Sequence, residues 1–361
     1  MPAPTPPYPR SSLINRAVFD KFRCHRGDGD MWPITWADDG HLYGAAGDNS
    51  GSPMNFWRLK NGPAEWCAHT GWGISVELLD NLPMDPKVYC QRPDVHPKMG
   101  IKPAGLLCLN GVLYFTVELH NYGDNPAFNR QHNRQAWIIT STDYGKTWNR
   151  TASPTDMFTG SLASPHFLQF GQDYAGARDD FLYAYFPTAD DGQSYWENGD
   201  YLLLGRVPRF SILDRAAWQF YAGPDGPAGA RWDSDEQQAQ PVFRYPRMTG
   251  EDHVSYNAGI RRYLLGNYGF IDRDGSPRPY HQGPWPDSCL RSQLTLFEAP
   301  EPWGPWSLFH QDDDWGTYGD YQPNFPTKWM SADGKTLLMV SSGSFDDYNL
   351  TLQKVTLELN E

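Results

Sequence analysis

Hydrophobic positions along the chain fall in runs of four to eight residues, alternating or continuous, broken by Gly, Pro, Asn and Asp. Apolar spacing of three and four residues is nearly absent, so the pattern predicts strands joined by turns and very little helix. The runs recur in pairs around a tight turn. Trp32–Trp36 is followed by Asp39-Gly40 and Leu42–Ala46, and Ala104–Cys108 by Asn110-Gly111 and Val112–Thr116. His166–Phe170 connects through Asp179-Asp180 to Phe181–Tyr185, and Val254–Ala258 turns near Ile260-Arg261 into Tyr263–Leu265. Last, Phe325–Trp329 leads through Asp333-Gly334 into Thr336–Val340. Asn-Gly and Asp-Gly suit a two-residue hairpin turn, in which both central residues take positive φ.

Measured between residues 40, 111, 180, 261 and 334, the turns are 71, 69, 81 and 73 residues apart. Each unit continues into a third run: Phe56–Leu59, Ala136–Ile139, Tyr201–Leu204, Gln293–Phe297 and Leu350–Lys354. Five units of this length, each an up-and-down sheet, describe an all-β, five-bladed β-propeller with four antiparallel strands per blade. The last unit runs out of chain before a fourth strand, and the N-terminal run Ala17–Phe22 is expected to supply it and close the ring. The organisation read from this repeat is an extended Pro-rich leader over 1–15 and one propeller domain over 16–361.

Composition narrows the partners. The chain has 34 Gly, 31 Pro, 15 Trp, 20 Tyr and 18 Phe among its 361 residues, which suits a turn-dense β protein with stacking surfaces. With 43 acidic against 30 basic residues and a net charge of −13, a nucleic-acid partner is not expected, because phosphate backbones require basic surface. A run of 18 apolar residues is absent, so no membrane span is expected. The five cysteines, Cys24, Cys67, Cys90, Cys108 and Cys289, are scattered without CxxC spacing, so neither a structural zinc site nor a dense disulfide framework is expected, and no metal ligand is assigned. Met1–Arg10 has no apolar core of a signal peptide, and the location stays open between the cytoplasm and a secreted mature form. A monomer is expected.

Two turn motifs read as structural. Ser141-Thr-Asp-Tyr-Gly-Lys-Thr-Trp148 resembles the Asp-box of sialidase-type propellers, in which Asp and Gly serve the turn and Trp packs between strands. Ala299–Trp306 holds the equivalent place in the fourth unit.

In a propeller, the start of each inner strand and the end of the strand beside it emerge at one mouth. That rule selects Asp30 with Trp32, Lys102, His166, Tyr256 with Asn257, and Lys328 as inner-strand starts, and Asp48 and Glu118 with His120 among second-strand ends. Asp30 and Asp48 would then be neighbours across one hairpin. Close carboxyls split their pKa values, so that one donates a proton while the other stays ionised, the pairing that glycosidic hydrolysis needs. Glu118 is a reserve acid, and Trp32 and Tyr256 are candidate stacking surfaces for a sugar.

Gly29–Gly40 with Leu42–Asp48, Tyr174–Asp179, Val254–Asn257 and Phe325–Ser331 resemble segments of a large group of propeller proteins. That group is similar to the endo-D-arabinanases, five-bladed glycoside hydrolases with two essential aspartates in the first blade. The resemblance implies that Asp30 and Asp48 are the catalytic carboxylates and that the substrate is an oligo- or polysaccharide. It implies no catalytic cofactor, although a structural calcium fills the central channel of some related propellers. The departure is a cationic set, Lys102, His166, Lys328 and Arg178, that an uncharged arabinan does not call for.

Those cations support a second reading, a polysaccharide lyase in which Lys or Arg neutralises a uronate while His120, His166 or Tyr256 moves the C5 proton. The sequence loosely resembles propeller lyases in this respect. A third reading is a glycan-binding propeller without chemistry. The carboxylates gathered at one expected mouth favour hydrolysis.

Overall fold

A computed structural model describes residues 3–49, 52–60, 75–81, 99–121, 132–226, 229–272, 274–277, 291–315, 320–343 and 349–361. Five antiparallel sheets form the blades of a β-propeller. Blade one is Ile34–Trp36, Leu42–Asn49, Ser52–Lys60 and Ser75–Asn81, and blade four is His253–Asn257, Arg262–Ile271, Arg291–Ala299 and Ser307–Trp315. Blade five is Tyr321–Asn324, Thr336–Ser342 and Leu350–Leu359, completed by Ile14–Arg26 pairing antiparallel to Leu350–Leu359. The N-terminal strand therefore closes the ring, as the missing fourth run required.

Blades two and three depart from the plain repeat. Met99–Leu109, Val112–Asn121 and His132–Ser141 make the body of blade two, whose outer edge is shared by Phe158–Thr159 and by Ser194–Tyr195 from the following blade. Blade three carries His166–Phe167, Phe181–Thr188 and Gly199–Pro208, then an added hairpin of Gln219–Asp225 and Gly229–Asp233. The leader lies across blades three and four. Tyr8 stacks on Phe243 at 5.0 Å, Tyr245 Oη and Gln293 Nε2 each donate to the Pro4 carbonyl at 2.7 Å, and Ser11 Oγ donates to Glu298 at 2.7 Å.

The turns explain why the repeat was legible. At Asn110-Gly111 both residues take positive φ, 52° and 70°, as a two-residue hairpin demands. Asp39-Gly40 and Asp333-Gly334 differ from that expectation, because only the glycine is left-handed, at φ 85° and 70°. There the aspartate instead accepts from a backbone N–H two residues on, His41 to Asp39 at 2.9 Å and Lys335 to Asp333 at 3.0 Å. Between blades, apolar faces pack into three clusters, one spanning blades one to four, one joining four to five, and one joining five to one.

The Asp-box behaves as its chemistry suggests. Asp143 accepts from the Thr147 amide at 2.9 Å and its hydroxyl at 2.7 Å, and Trp148 packs edge-on against Phe56 at 4.9 Å. Asp143→Ala removes both bonds from a partly exposed turn, so a loss of about 1–2 kcal/mol is expected, read as a melting temperature lower by a few degrees with activity unchanged. An unaltered melting curve would show that the turn does not need them.

Candidate active site

Each inner strand enters the channel from the same end, and five such starts line one mouth. Asp30 reaches it on the turn before Ile34–Trp36. Its backbone exchanges two hydrogen bonds with Gly47, at 2.8 and 2.9 Å, which sets Asp48 beside it. A Cβ on Gly47 would lie 2.6 Å from Asp30 Oδ1 and 3.1 Å from Lys102 Cδ, so only glycine lets this backbone approach the pair so closely. Asp48 follows at φ 44°.

Lys102, on the first strand of blade two, places its ammonium 2.5 Å from Asp48 Oδ1 and 3.7 Å from Asp30 Oδ1. Tyr321, from blade five, donates its hydroxyl to Asp30 Oδ2 at 3.0 Å. Asp30 is 6% exposed, and Lys102 is also buried. Burial pushes the Asp30 carboxyl up to about 6; the neighbouring Asp48 charge adds to the rise, while Lys102 and the Tyr321 hydroxyl hold it back. The expected carboxylate pair is thus assembled across one hairpin.

Beneath it lies a second polar layer. Glu118 pairs in register with Lys102, and its Oε1 meets His120 Nε2. Burial pushes the Glu118 carboxyl up to about 8. Glu251, on the turn into blade four, faces it, and burial and the Glu118 charge raise its carboxyl well above the usual range. Glu251 Oε1 accepts from Asn133 Nδ2 at 2.8 Å and Ser164 Oγ at 3.1 Å, and its Oε2 from Gln322 Nε2 at 2.7 Å. His166 joins through Ser164 Oγ, 2.8 Å from its Nε2, and its ring meets His253 edge-on at 5.0 Å. Burial, with His253 alongside, keeps the His166 imidazole neutral by lowering its pKa well below the usual value.

Four expected site residues lie at the other end. The inner strand of blade four is His253–Asn257, so Tyr256 and Asn257 are at its finish, where Asn257 Nδ2 donates to the Gly334 carbonyl at 2.8 Å. In blade five the inner strand is Tyr321–Asn324; after Pro326 the chain turns into a short 3-10 segment, Thr327–Trp329. Lys328 therefore leaves the mouth and donates to the Gly40 carbonyl at 2.7 Å. Arg178 sits in the same far region, paired with Glu301 at 3.1 Å and within 5.9 Å of the Tyr256 ring. A cavity of about 250 Å³ opens there, lined by Trp36, Phe170, Tyr256, Asn257, Thr327 and Ser331 among others. Trp32 is fully buried, with its Nε1 donating to the Gly29 carbonyl at 2.8 Å and its ring packed near Trp57, so it offers no stacking face.

These placements also correct the expected charge of the mouth. With Arg178 and Lys328 elsewhere, Lys102 faces Asp30, Asp48 and Glu118, Glu251 faces Glu118, and acid predominates among the described residues there.

Glu251, Tyr321 and Gln322 precede the residues that the hydrophobic pattern selects: the fifth inner strand is Tyr321–Asn324, ahead of the run Phe325–Trp329, and in blade four Tyr256 and Asn257 belong to the far half of the strand His253–Asn257. Gly250-Glu251-Asp252 stands before its strand as Gly29-Asp30 stands before the first, and that parallel is the signal that could have found Glu251.

No protein-family model matches the chain, and no curated protein matches it by sequence. Its fold is found in solved structures. A protein of Bacteroides ovatus ATCC 8483 described as a hydrolase aligns with a TM-score of 0.54 at 12% identity, over 92% of this chain and 86% of its own. A GH43_1 enzyme from Xanthomonas citri aligns with a TM-score of 0.50 at 14% identity, over 92% of this chain and 88% of its own. The resemblance read from the motifs, to five-bladed propeller glycoside hydrolases, is borne out at the level of the fold.

Proposed function

We propose that this chain hydrolyses a glycosidic bond of an oligo- or polysaccharide, with Asp30 as general acid and Asp48 as nucleophile. The observation that carries the reading is the pair itself: two carboxyls at the mouth of the channel, one buried and raised to about 6, the other more exposed and ion-paired to Lys102. Such a contrast of environments divides a carboxyl pair into acid and carboxylate. Asp30, protonated in the resting site below its pKa, gives its proton to the leaving oxygen while Asp48 attacks the anomeric carbon. Water then releases the sugar from Asp48, with Asp30 acting as base.

Contacts of 2.5 and 3.7 Å to a single Lys102 nitrogen keep the two carboxyl oxygens nearer than the ~6.5–9.5 Å that an inverting pair leaves for its water. Retention of configuration is accordingly the expected outcome. The resemblance of the Asp30 and Asp48 segments to those of the endo-D-arabinanases makes arabinan-type glycans the first substrates to try. The lyase reading loses Arg178, Lys328 and Tyr256, which lie at the far end, and keeps Lys102, already paired with the two aspartates, and the buried His120 and His166.

The test is reducing-end release from a glycan panel, followed across pH. A general acid must be protonated, so kcat/KM is expected to be full below the Asp30 pKa and to fall as pH rises through about 6. A near-ultraviolet chromophore without new hydrolytic ends would establish elimination instead. Glycan binding without either product would establish a binding platform.

A further inference from the structure

We infer that Glu118, His166 and Glu251 bind a divalent transition-metal ion of the zinc class, held in the channel beneath the carboxylate pair. Blades two, three and four each contribute one ligand, and one donor atom from each lies within 4.8 Å of the other two. All three side chains are essentially removed from solvent.

Hydrogen bonding in this layer leaves acceptors over. Glu118 Oε2, Asn133 Oδ1 and Gln322 Oε1 are buried without a donor, and so is His166 Nδ1. One consistent chain runs from His166 Nε2–H to Ser164 Oγ at 2.8 Å, and from the Ser164 hydroxyl to Glu251 Oε1 at 3.1 Å. That tautomer turns a bare Nδ1 lone pair toward no proton. Buried polar atoms are normally satisfied, so this layer needs either protons held between the raised Glu118 and Glu251 carboxyls or a cation in their place, and the bare His166 Nδ1 beside them favours the cation.

The chemistry of the ligands selects its class. Calcium, which fills the channel of some related propellers, takes six to eight oxygens, and a nitrogen ligand fits it poorly. An imidazole with two carboxylates suits zinc and its neighbours. A doubly charged ion also neutralises two carboxylates that would otherwise be buried side by side. Outer contacts orient every ligand: His120 on Glu118, Ser164 on His166, and Asn133 with Gln322 on Glu251. This inference is independent of the hydrolytic reading, because the ion is assigned no part in it.

The experiment takes the full chain, dialysed against a transition-metal chelator, and titrates it with zinc, cobalt(II) and calcium. One equivalent of zinc is expected to survive gel filtration, as measured by elemental analysis. Cobalt(II) is expected to give visible absorption bands that zinc abolishes, and calcium to leave those bands unchanged. His166→Asn is expected to weaken zinc binding by about ten-fold or more. No retained zinc and no cobalt bands on folded protein would overturn the site and leave two carboxyls sharing a proton. Calcium displacing cobalt would overturn the metal class, and unchanged affinity in His166→Asn would overturn the ligand assignment. If that variant fails to fold, the cobalt and calcium titrations of the unaltered chain decide.

Discussion

Asp48→Asn is expected to abolish turnover on every glycoside, whereas Asp30→Asn loses activity in proportion to how poor the leaving group is. The two carboxyls are neighbours, yet their environments assign them different steps. Asp48 supplies the anionic oxygen that attacks the anomeric carbon, and a neutral amide oxygen is too weak a nucleophile to replace it, so no leaving group can rescue its loss. Adding azide to Asp48→Asn is expected to restore turnover of an activated aryl glycoside, with the azide ending on the sugar. Asp30 supplies only a proton. On a polysaccharide its removal costs about 10²–10⁴-fold, whereas an aryl glycoside whose phenol leaves unaided is expected to retain most of its rate of glycosyl transfer. The same variant should lose the fall in activity near pH 6, because the group that titrates there is gone. The reverse pattern, with Asp30→Asn dead on activated substrates and Asp48→Asn spared, would exchange the two roles. Full activity in both would remove the pair from the chemistry altogether.

How much of this was legible depended on which signals are local. Asn110-Gly111 announces a hairpin in two residues, because few side chains tolerate consecutive positive φ, and the ~70-residue spacing of such turns yielded the propeller and its closure by the N-terminal strand. Gly47-Asp48 and Gly29-Asp30 likewise lie on one hairpin, so their meeting followed from strand pairing alone. Strand phase in blades four and five was not local. Asn324 ends the inner strand of blade five and Phe325-Pro326 breaks away from it, yet the hydrophobic pattern continues through Trp329, and Lys328 was carried to the wrong end. In blade four the run matches the strand to within one residue, but its polar far half, Tyr256 and Asn257, resembles a mouth end and hides Glu251, whose partners Asn133, Ser164 and Gln322 come from three other blades. A polar layer assembled from such separated segments has no sequence period. Trp32 was legible as aromatic but not as buried, since its place against Trp57 and the Gly29 carbonyl depends on a turn with two consecutive left-handed residues, Met31 and Trp32.

Lys102→Met is expected to produce the largest loss of stability, and the loss should depend on pH in a direction fixed by Asp30. The methionine keeps the stem that packs beside Gly47 but removes the cation facing Asp30 and Asp48. Asp48 is a third exposed and water can take over its solvation. Asp30 is buried, and stripping the partner from a buried ion costs about 3–5 kcal/mol. The protein can avoid that cost only by protonating Asp30, whose carboxyl burial already raises to about 6 and which rises further without the ammonium. A carboxyl that holds its proton more tightly when folded than unfolded makes stability fall as pH increases between the two pKa values. The variant should therefore melt close to the unaltered protein near pH 5 and well below it at pH 8. Its activity, if Asp30 is the acid, should persist to higher pH, because the proton is retained longer. Adding Asp30→Asn to Lys102→Met removes the buried charge as well, and the double variant should recover most of the lost stability at pH 8. Equal losses at pH 5 and pH 8, with no recovery in the double variant, would show that Lys102 contributes packing and not charge compensation.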